Sequence, residues 1–346
     1  MNALQFIWFV SLSLTGAALI VIGILIVARL FITRRERRRA AKRRVLVREL
    51  LAGGASPADS LGRIPPELLT DTFLDLIRLV RGDEREAFVA QATGLGVPER
   101  LGRRLQSGSA RKRLSAAQSL GEFHDPGSLR ALHGSLDDSN EDVRLAAALS
   151  LAQSGSTAEV RQLVDRLGLG VDEDSLMIVT LFRVIAEERP DEIKALILDP
   201  DTNVRARLAG IEALATTGDY SLVPVITALA LDAPDNGEEL PRYLRALGTL
   251  AHPAGAQAVL QGLTSAALGA RAAAAFAAGR IGLIEGADRL AELLDDPEWW
   301  VRFRAAEALI QLGPAGRDRL QAVAARGSMR AQEAAGTMLA EFGAEG

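Results

Sequence analysis

The sequence predicts an all-α protein, in which an N-terminal transmembrane helix is followed by an α-solenoid of about seven to eight helical pairs. Three observations lead to this fold class. An uncharged apolar stretch of 22 residues lies near the N-terminus, and a segment with a period close to 31 residues recurs through most of the remaining chain. No segment alternates polar and apolar residues over a useful length, which argues against strands.

Residues 1–33 are predicted to anchor the chain in a membrane. The stretch from Phe6 to Val27 carries no charge, and as a helix at ~1.5 Å per residue it spans roughly 33 Å, enough for a hydrocarbon core of about 30 Å. Trp8 lies near one end, where interfacial aromatic rings are common. Basic residues follow the apolar stretch and none precedes it, the reverse of a cleaved signal peptide. We therefore expect a single-pass membrane protein.

Residues 34–44 form a basic juxtamembrane segment with eight basic groups and one acid. By the positive-inside rule this side is cytoplasmic, so the C-terminal domain is expected in the cytoplasm. The simpler interpretation is that the segment only fixes this topology. The alternative is that it also binds anionic lipid headgroups, at ~1 kcal/mol per residue near the surface. The residues concerned are Arg34, Arg35, Arg37, Arg38, Arg39, Lys42, Arg43 and Arg44.

Residues 45–108 are predicted to be a helical capping and linking region. Residues 68–77 have the apolar spacing of a helix, and Gly53-Gly54 and Pro65-Pro66 interrupt the region. Its sequence does not follow the repeat, so we interpret it as a divergent segment that joins the anchor to the array.

Residues 109–346 are predicted to form the repeats. An arginine precedes an alanine-rich helix in every copy except a degenerate one around Ile178, and with that copy included the anchor positions are spaced 28 to 35 residues apart. Each copy opens with a turn-rich, often acidic stretch, such as Asp295-Asp296-Pro297, and closes with a second, shorter apolar helix. A pair of ~30 residues cannot cover its own apolar stripe, so neighbouring pairs must bury one another's faces. We expect a curved array with a concave face lined by the second helices.

The repeat resembles a known family. The pattern Asp-Pro-x-x-x-Val-Arg-x-x-Ala-Ala-x-Ala-Leu-x-x-Leu-Gly, to which residues 296–313 are close, is similar to HEAT repeats of the short bacterial kind, including those of the phycobilisome-lyase group. The resemblance covers residues 109–346 with varying fidelity and implies an α-solenoid. It implies little about a reaction or a ligand, because such repeats serve mostly as binding scaffolds.

The composition leaves few groups for catalysis or metal binding. The chain has no cysteine and three histidines, His124, His133 and His252, which excludes thiolate chemistry and makes a metal pair improbable. It also lacks a Gly-Lys-Ser/Thr phosphate loop. Residues 45–346 hold 31 basic and 43 acidic groups, a net charge of −12 that disfavours nucleic acid. We expect no catalytic residue, cofactor, metal, small-molecule substrate or nucleic-acid partner.

Charged residues at the start of the repeats are candidates for a binding row. In the resembling repeats, however, such residues form ladders between neighbouring loops, and we favour this structural role. An exposed pair of this kind contributes only ~0.2 to 1 kcal/mol. The residues are Arg144, Arg205 and Arg302 at the Val-Arg position, and Asp138, Asp201 and Asp296 in the loops ahead of them.

Trp299 and Trp300 are the candidate protein-binding residues. Two of the chain's three tryptophans stand together here, where a helix is predicted to begin beside a polar loop. Exposed tryptophan is enriched at binding hot spots. The alternative interpretation is local packing of one ring against the next loop.

These features predict a non-enzymatic scaffold or adaptor that binds a membrane-associated protein at the bacterial inner membrane. Arginine outnumbers lysine 37 to 3, which is typical of a GC-rich bacterial genome. An envelope or polysaccharide-biosynthesis enzyme would be a partner consistent with that location. The alternative is a tetrapyrrole (bilin) lyase or chaperone-like protein, which the phycobilisome-lyase resemblance implies. A DNA-binding relative of HEAT-like glycosylases is a third possibility, against which the acidic balance argues.

Overall fold

The computed structural model describes residues 65–168 and 176–343, together with Arg29, Arg44, Val47 and Arg48. The predicted transmembrane helix within residues 1–33 lies outside the described residues, as do all the predicted lipid-facing basic residues except Arg44, which is exposed. Within the two described ranges, none of the helices is both long and apolar enough to cross a bilayer.

The described part of the chain is helical, as the sequence predicts. Residues 65–168 and 176–343 form 18 α-helices with short 3₁₀ turns between some of them, and these ranges contain no strand. The chain divides into two compact units, Met1–Arg103 and Arg104–Gly346.

The described part of the first unit contains α1 (Pro66–Leu79), α2 (Asp83–Gly94) and the beginning of α3 (Val97–Ser107). Proline at the first position of α1 suits a helix start, because the missing N–H would have no helical acceptor there. Phe73 is fully buried in this unit. Arg100 donates from Nε to the Thr70 hydroxyl at 3.0 Å, which ties α3 to α1.

The second unit is an array of helical pairs. Each first helix packs against the first helix of the next pair, from α4 to α18. The first helices are α4 (Ala110–Leu120), α6 (Glu141–Gln153), α8 (Leu176–Glu188), α10 (Val204–Ala215), α12 (Glu239–Leu250), α14 (Leu268–Ile281), α16 (Trp299–Gln311) and α18 (Met329–Gly343). The second helices are α5 (Pro126–Ser135), α7 (Val160–Leu167), α9 (Pro190–Leu198), α11 (Val223–Asp232), α13 (Ala256–Gly262), α15 (Ala287–Glu292) and α17 (Pro314–Arg326).

Local sequence signals set the ends of these helices. The Asp125 carboxylate accepts the backbone N–H groups of Gly127 and Ser128 at 2.9 and 3.0 Å, which caps the start of α5. Glycine in the left-handed region ends α7 at Gly168 and α14 at Gly282, with φ of 62° and 81°. These signals recur because each repeat must reverse the chain twice.

Small residues allow successive first helices to approach closely. A Cβ added at Gly279 of α14 would lie 2.8 Å from the Cα atom of Ala308 of α16, and one added at Gly248 of α12 would lie 2.8 Å from the Cα atom of Ala277. Successive first helices from α12 to α16 are therefore in close contact at these two glycines.

Candidate protein-binding surface

Arginines near the start of the first helices bind the preceding loop. Arg144 donates from Nη1 to the Asp138 carbonyl oxygen at 3.0 Å, and Arg302 donates from Nη1 to the Asp296 carbonyl oxygen at 2.8 Å. Both arginines hold the turn that leads into their own helix. This is the structural role that the sequence favours for them.

The carboxylates of these loops bind arginines of the preceding repeat. Arg113 of α4 contacts Asp138 at 2.8 Å, and Arg271 of α14 contacts Asp296 at 2.7 Å. The hydrogen bond from Arg113 holds the pKa of the Asp138 carboxyl below its usual value. Each loop is therefore tied to two repeats, and these charges are engaged within the array.

In the loop ahead of α10, the hydrogen bonds made by Arg144 and Arg302 in their loops come from Arg207, two residues after Arg205. Here Arg207 donates from Nη2 to the carbonyl oxygens of Asp199 and Thr202, at 3.0 and 3.3 Å. The reason is the point at which the helix begins. Val204 is the first residue of α10 and is exposed, whereas the valine of the same motif is the third residue, and buried, in α6 and α16. The Val-Arg pair of α10 thus precedes the structural position by two residues.

Charges of the second helices and the turns beside them also pair between repeats. Lys194 and Ser221 together lower the pKa of Asp219 to about 2. The bridges are Asp137–Arg166 at 2.6 Å, Lys194–Asp219 at 2.5 Å and Asp288–Arg319 at 2.6 Å. These charges are already matched, so their first effect is to join neighbouring repeats.

A cavity of about 310 Å³ lies between α7 and α9, and charged residues that line it are also paired within the array. Its Arg161 forms an ion pair with Asp199. Its Glu192 accepts the backbone N–H of Val160 at 3.0 Å and binds Arg189 at 3.1 Å. Arg161 and Glu192 therefore stabilise the contact between these repeats.

The two tryptophans that open α16 remain largely in solvent. Trp299 is 60% exposed and Trp300 is 44% exposed. The Trp299 ring stacks on Phe303, one turn later on the same helix, with ring centroids 5.4 Å apart. Trp300 lies 5.6 Å from Trp299 and 5.5 Å from Phe303, measured between centroids. We call Trp299, Trp300 and Phe303 the aromatic cluster.

Arg304 covers one side of the aromatic cluster. Its guanidinium carbon lies 4.6 Å from the Trp300 ring centroid and 5.4 Å from that of Phe276 on α14. Arg304 also binds Glu307 at 2.7 Å. Cation–π contacts of this kind contribute about 0.5–1 kcal/mol at exposed sites. They fix the Trp300 ring against the array and leave Trp299 as the more exposed ring.

On the Trp299 side, α16 and α18 enclose a groove of about 280 Å³. We call it the α16–α18 groove. Among the described residues its charged side chains form no ion pair, although Arg302 and Arg330 each donate from Nη1 to a loop carbonyl oxygen, of Asp296 at 2.8 Å and of Asp295 at 3.3 Å. Its apolar lining is Trp299, Phe303, Ala306, Ala334 and Met338, and its polar lining is Arg302, Arg330, Glu333, Thr337 and Glu341.

The histidines lie apart from this surface. His252 accepts the Ala254 N–H on Nδ1 at 3.2 Å, and its ring centroid lies 5.2 Å from that of Tyr220. His124 and His133 are exposed. Among the described residues, no group of three or more histidines or acids is placed to hold a metal ion.

Trp299 and Trp300 were predicted from the sequence, whereas the rest of the surface was not. Phe303 and Arg304 follow the two tryptophans by four residues each, and this helical spacing could have indicated both contacts. The part played by α18 had no such signal. It depends on which helices become neighbours in the folded chain.

The family model for HEAT repeats matches residues 98–176 and 235–310. These two segments carry HEAT repeats, which confirms that part of the prediction, and the aromatic cluster lies in the second of them. No curated protein matches the chain. The similarity to the phycobilisome-lyase group stays a prediction.

The chain is also similar to solved structures. Kap121p is 17% identical with a TM-score of 0.45, and the match covers 87% of this chain and 39% of Kap121p. Kap121p bound to Pho4p is 18% identical with a TM-score of 0.43, over 81% of this chain and 38% of the other. Human deoxyhypusine hydroxylase in complex with glycerol is 19% identical with a TM-score of 0.30, over 81% and 98%. The chain thus spans less than half the length of Kap121p, and likeness of this degree carries no argument about function.

Proposed function

We propose that the chain is a non-catalytic scaffold that holds a protein partner beside the bacterial inner membrane, with the aromatic cluster as its contact site. The observation that carries this proposal is the exposure of Trp299 and Trp300, at 60% and 44%. Large aromatic rings on a rigid helix can bury much apolar area at a small cost in conformational entropy, which is why they dominate binding hot spots.

The surroundings of the cluster support this choice. The loop charges and the second-helix charges described above are paired between repeats, so they hold the array together. The aromatic cluster packs chiefly on its own helix and on Arg304. Its exposed ring surface is therefore free for a partner.

The N-terminal sequence supports a site of action at the membrane. The uncharged 22-residue stretch and the basic segment that follows it predict an inner-membrane anchor with the repeats in the cytoplasm. Tethering confines the aromatic cluster to a thin layer and raises its effective concentration toward a membrane-associated partner, into the millimolar range expected of short linkers. An envelope or polysaccharide-biosynthesis enzyme is the kind of partner that this location favours.

Co-purification from detergent-solubilised native membranes tests the proposal. We expect the full chain to retain a membrane protein, and the variant with Trp299→Ala and Trp300→Ala to lose about nine-tenths of it, because each hot-spot truncation weakens binding by more than about 1 kcal/mol. Circular dichroism should show the same helical signal in both proteins, since neither ring is buried.

Tyr220→Ala is the matched control, because Tyr220 is 56% exposed and lies on a different repeat. It should leave capture unchanged. Three results would contradict the proposal: equal capture by the double variant, equal loss with Tyr220→Ala, or a bound pigment in the purified chain, which would favour a bilin lyase. Melting of the C-terminal repeats in the double variant would assign the tryptophans to packing.

A further inference from the structure

The α16–α18 groove has a shape and charge pattern that select among ligands. We propose that it binds an amphipathic helix of a protein partner, two to three turns long, with apolar residues one turn apart, acidic residues in its first turn and basic residues in its last. This inference rests on the scaffold function proposed above and specifies the chemistry of the partner.

The length of the groove fits such a helix. Its lining runs from Trp299 to Ala306 on α16 and from Arg330 to Glu341 on α18. At ~1.5 Å per residue these stretches measure roughly 10 and 16 Å, which corresponds to about two to three turns of 5.4 Å.

The groove has room for side chains of a partner. Its volume is about 280 Å³. Phe303 and Met338 supply apolar surface inside it. A helix laid along the groove would insert apolar residues from positions i and i+3 or i+4 and leave its backbone outside.

The charges of the groove give the ligand an orientation. Arg302 and Arg330 lie within the first four residues of their helices, and Glu341 lies near the end of α18, whereas Glu333 follows Arg330 by one turn. A ligand with acids at one end and bases at the other would match both ends. Acids stabilise the first turn of a helix and bases its last, so the bound helix would run parallel to α18.

The same charges argue against ligands of one sign. A phosphate-bearing surface, whether lipid or nucleic acid, would meet the carboxylates of Glu333 and Glu341 beside the hydrophobic lining. A polypeptide carries both signs and avoids this repulsion. Because residues 65–168 and 176–343 contain no strand, the described surface also offers no sheet edge to an extended peptide.

Selection from a displayed library of helical peptides on the purified full chain tests the proposal. We expect enrichment of peptides with two apolar residues one turn apart and with acids before bases. Fluorescence anisotropy should then show that Thr337→Trp, which fills the groove from an exposed position, weakens the selected peptides about tenfold or more.

Two comparisons sharpen the test. Gln332→Trp adds the same ring to an exposed position of α18 that does not line the groove, and it should change affinity less than about twofold. The double variant with Arg330→Glu and Glu341→Arg should reverse the preference, so that a peptide with bases before acids binds better than the selected one.

The proposal is overturned if no helical peptide is enriched, if Thr337→Trp leaves the affinity unchanged, if proline-rich peptides are selected, or if the groove residues support binding to phosphatidylglycerol vesicles instead. Its failure can be told apart from failure of the scaffold function. A chain that keeps its membrane partner with Thr337→Trp, yet loses it with Trp299→Ala and Trp300→Ala, is a scaffold that uses the aromatic cluster without the groove.

Discussion

At the scale of single residues, ion pairs with similar distances should contribute differently to the stability of the fold, because their side chains are buried to different extents. The side chains of Arg271 and Asp296 are 13% and 5% exposed, and Arg271 also donates to the Ser265 carbonyl oxygen. The side chains of Arg319 and Asp288 are 50% and 78% exposed. Both bridges have short N–O distances, of 2.7 and 2.6 Å, so distance alone would rank them together.

Arg271→Met should lower the free energy of unfolding by about 3 kcal/mol, because it leaves the Asp296 carboxylate buried without its cation. Arg319→Met should cost less than about 1 kcal/mol, because solvent replaces an exposed partner. Urea titration followed by circular dichroism measures both values. Equal losses in the two variants would show that these bridges do not differ in the way their burial indicates.

The position of Arg207 shows that a sequence motif alone does not identify the arginine that binds the loop ahead of a helix. The Val-Arg motif led to Arg205, but the structural arginine is the one that follows the first buried residue of α10, which is Ala206. A motif fixes this role only when the start of the helix is also known. In α6 and α16 the two coincide, and there the arginine of the Val-Arg pair binds the loop ahead of its own helix.

At the scale of helices, close approach between first helices depends on small side chains. In α14 a Cβ at Gly279 would meet Ala308 Cα at 2.8 Å and Gln311 Oε1 at 2.6 Å. The alanine-rich pattern predicted that first helices pack tightly.

Gly279→Ala should destabilise the repeats by about 1–3 kcal/mol, because α14 and α16 must move apart to admit the methyl group. Gly134→Ala is the control. It lies in α5 with no atom within 4 Å of the added Cβ, and it should raise stability by about 0.5–1 kcal/mol through helix propensity. Thermal denaturation should give shifts of opposite sign. A shift of the same sign for both would mean that close approach is not what keeps position 279 small.

At the scale of the whole molecule, the repeat was the most predictable feature. Its period near 31 residues placed the helical pairs of residues 109–343, because each pair repeats the same caps, breaks and apolar stripe. The protein surface was less predictable. Trp299 and Trp300 could be selected from the sequence because tryptophan is rare in this chain. Their exposure and the groove beside them could not be predicted, because both depend on contacts between helices.

In the function proposed above, the chain presents the aromatic cluster to a protein at the membrane. The most direct measurement places a photoreactive phenylalanine analogue at position 300 of the full chain, or at position 134 as a control, and irradiates native membranes. Mass spectrometry should identify one membrane protein crosslinked from position 300 and absent from position 134. Crosslinks from position 300 that reach only lipid, or that match those from position 134, would contradict the account.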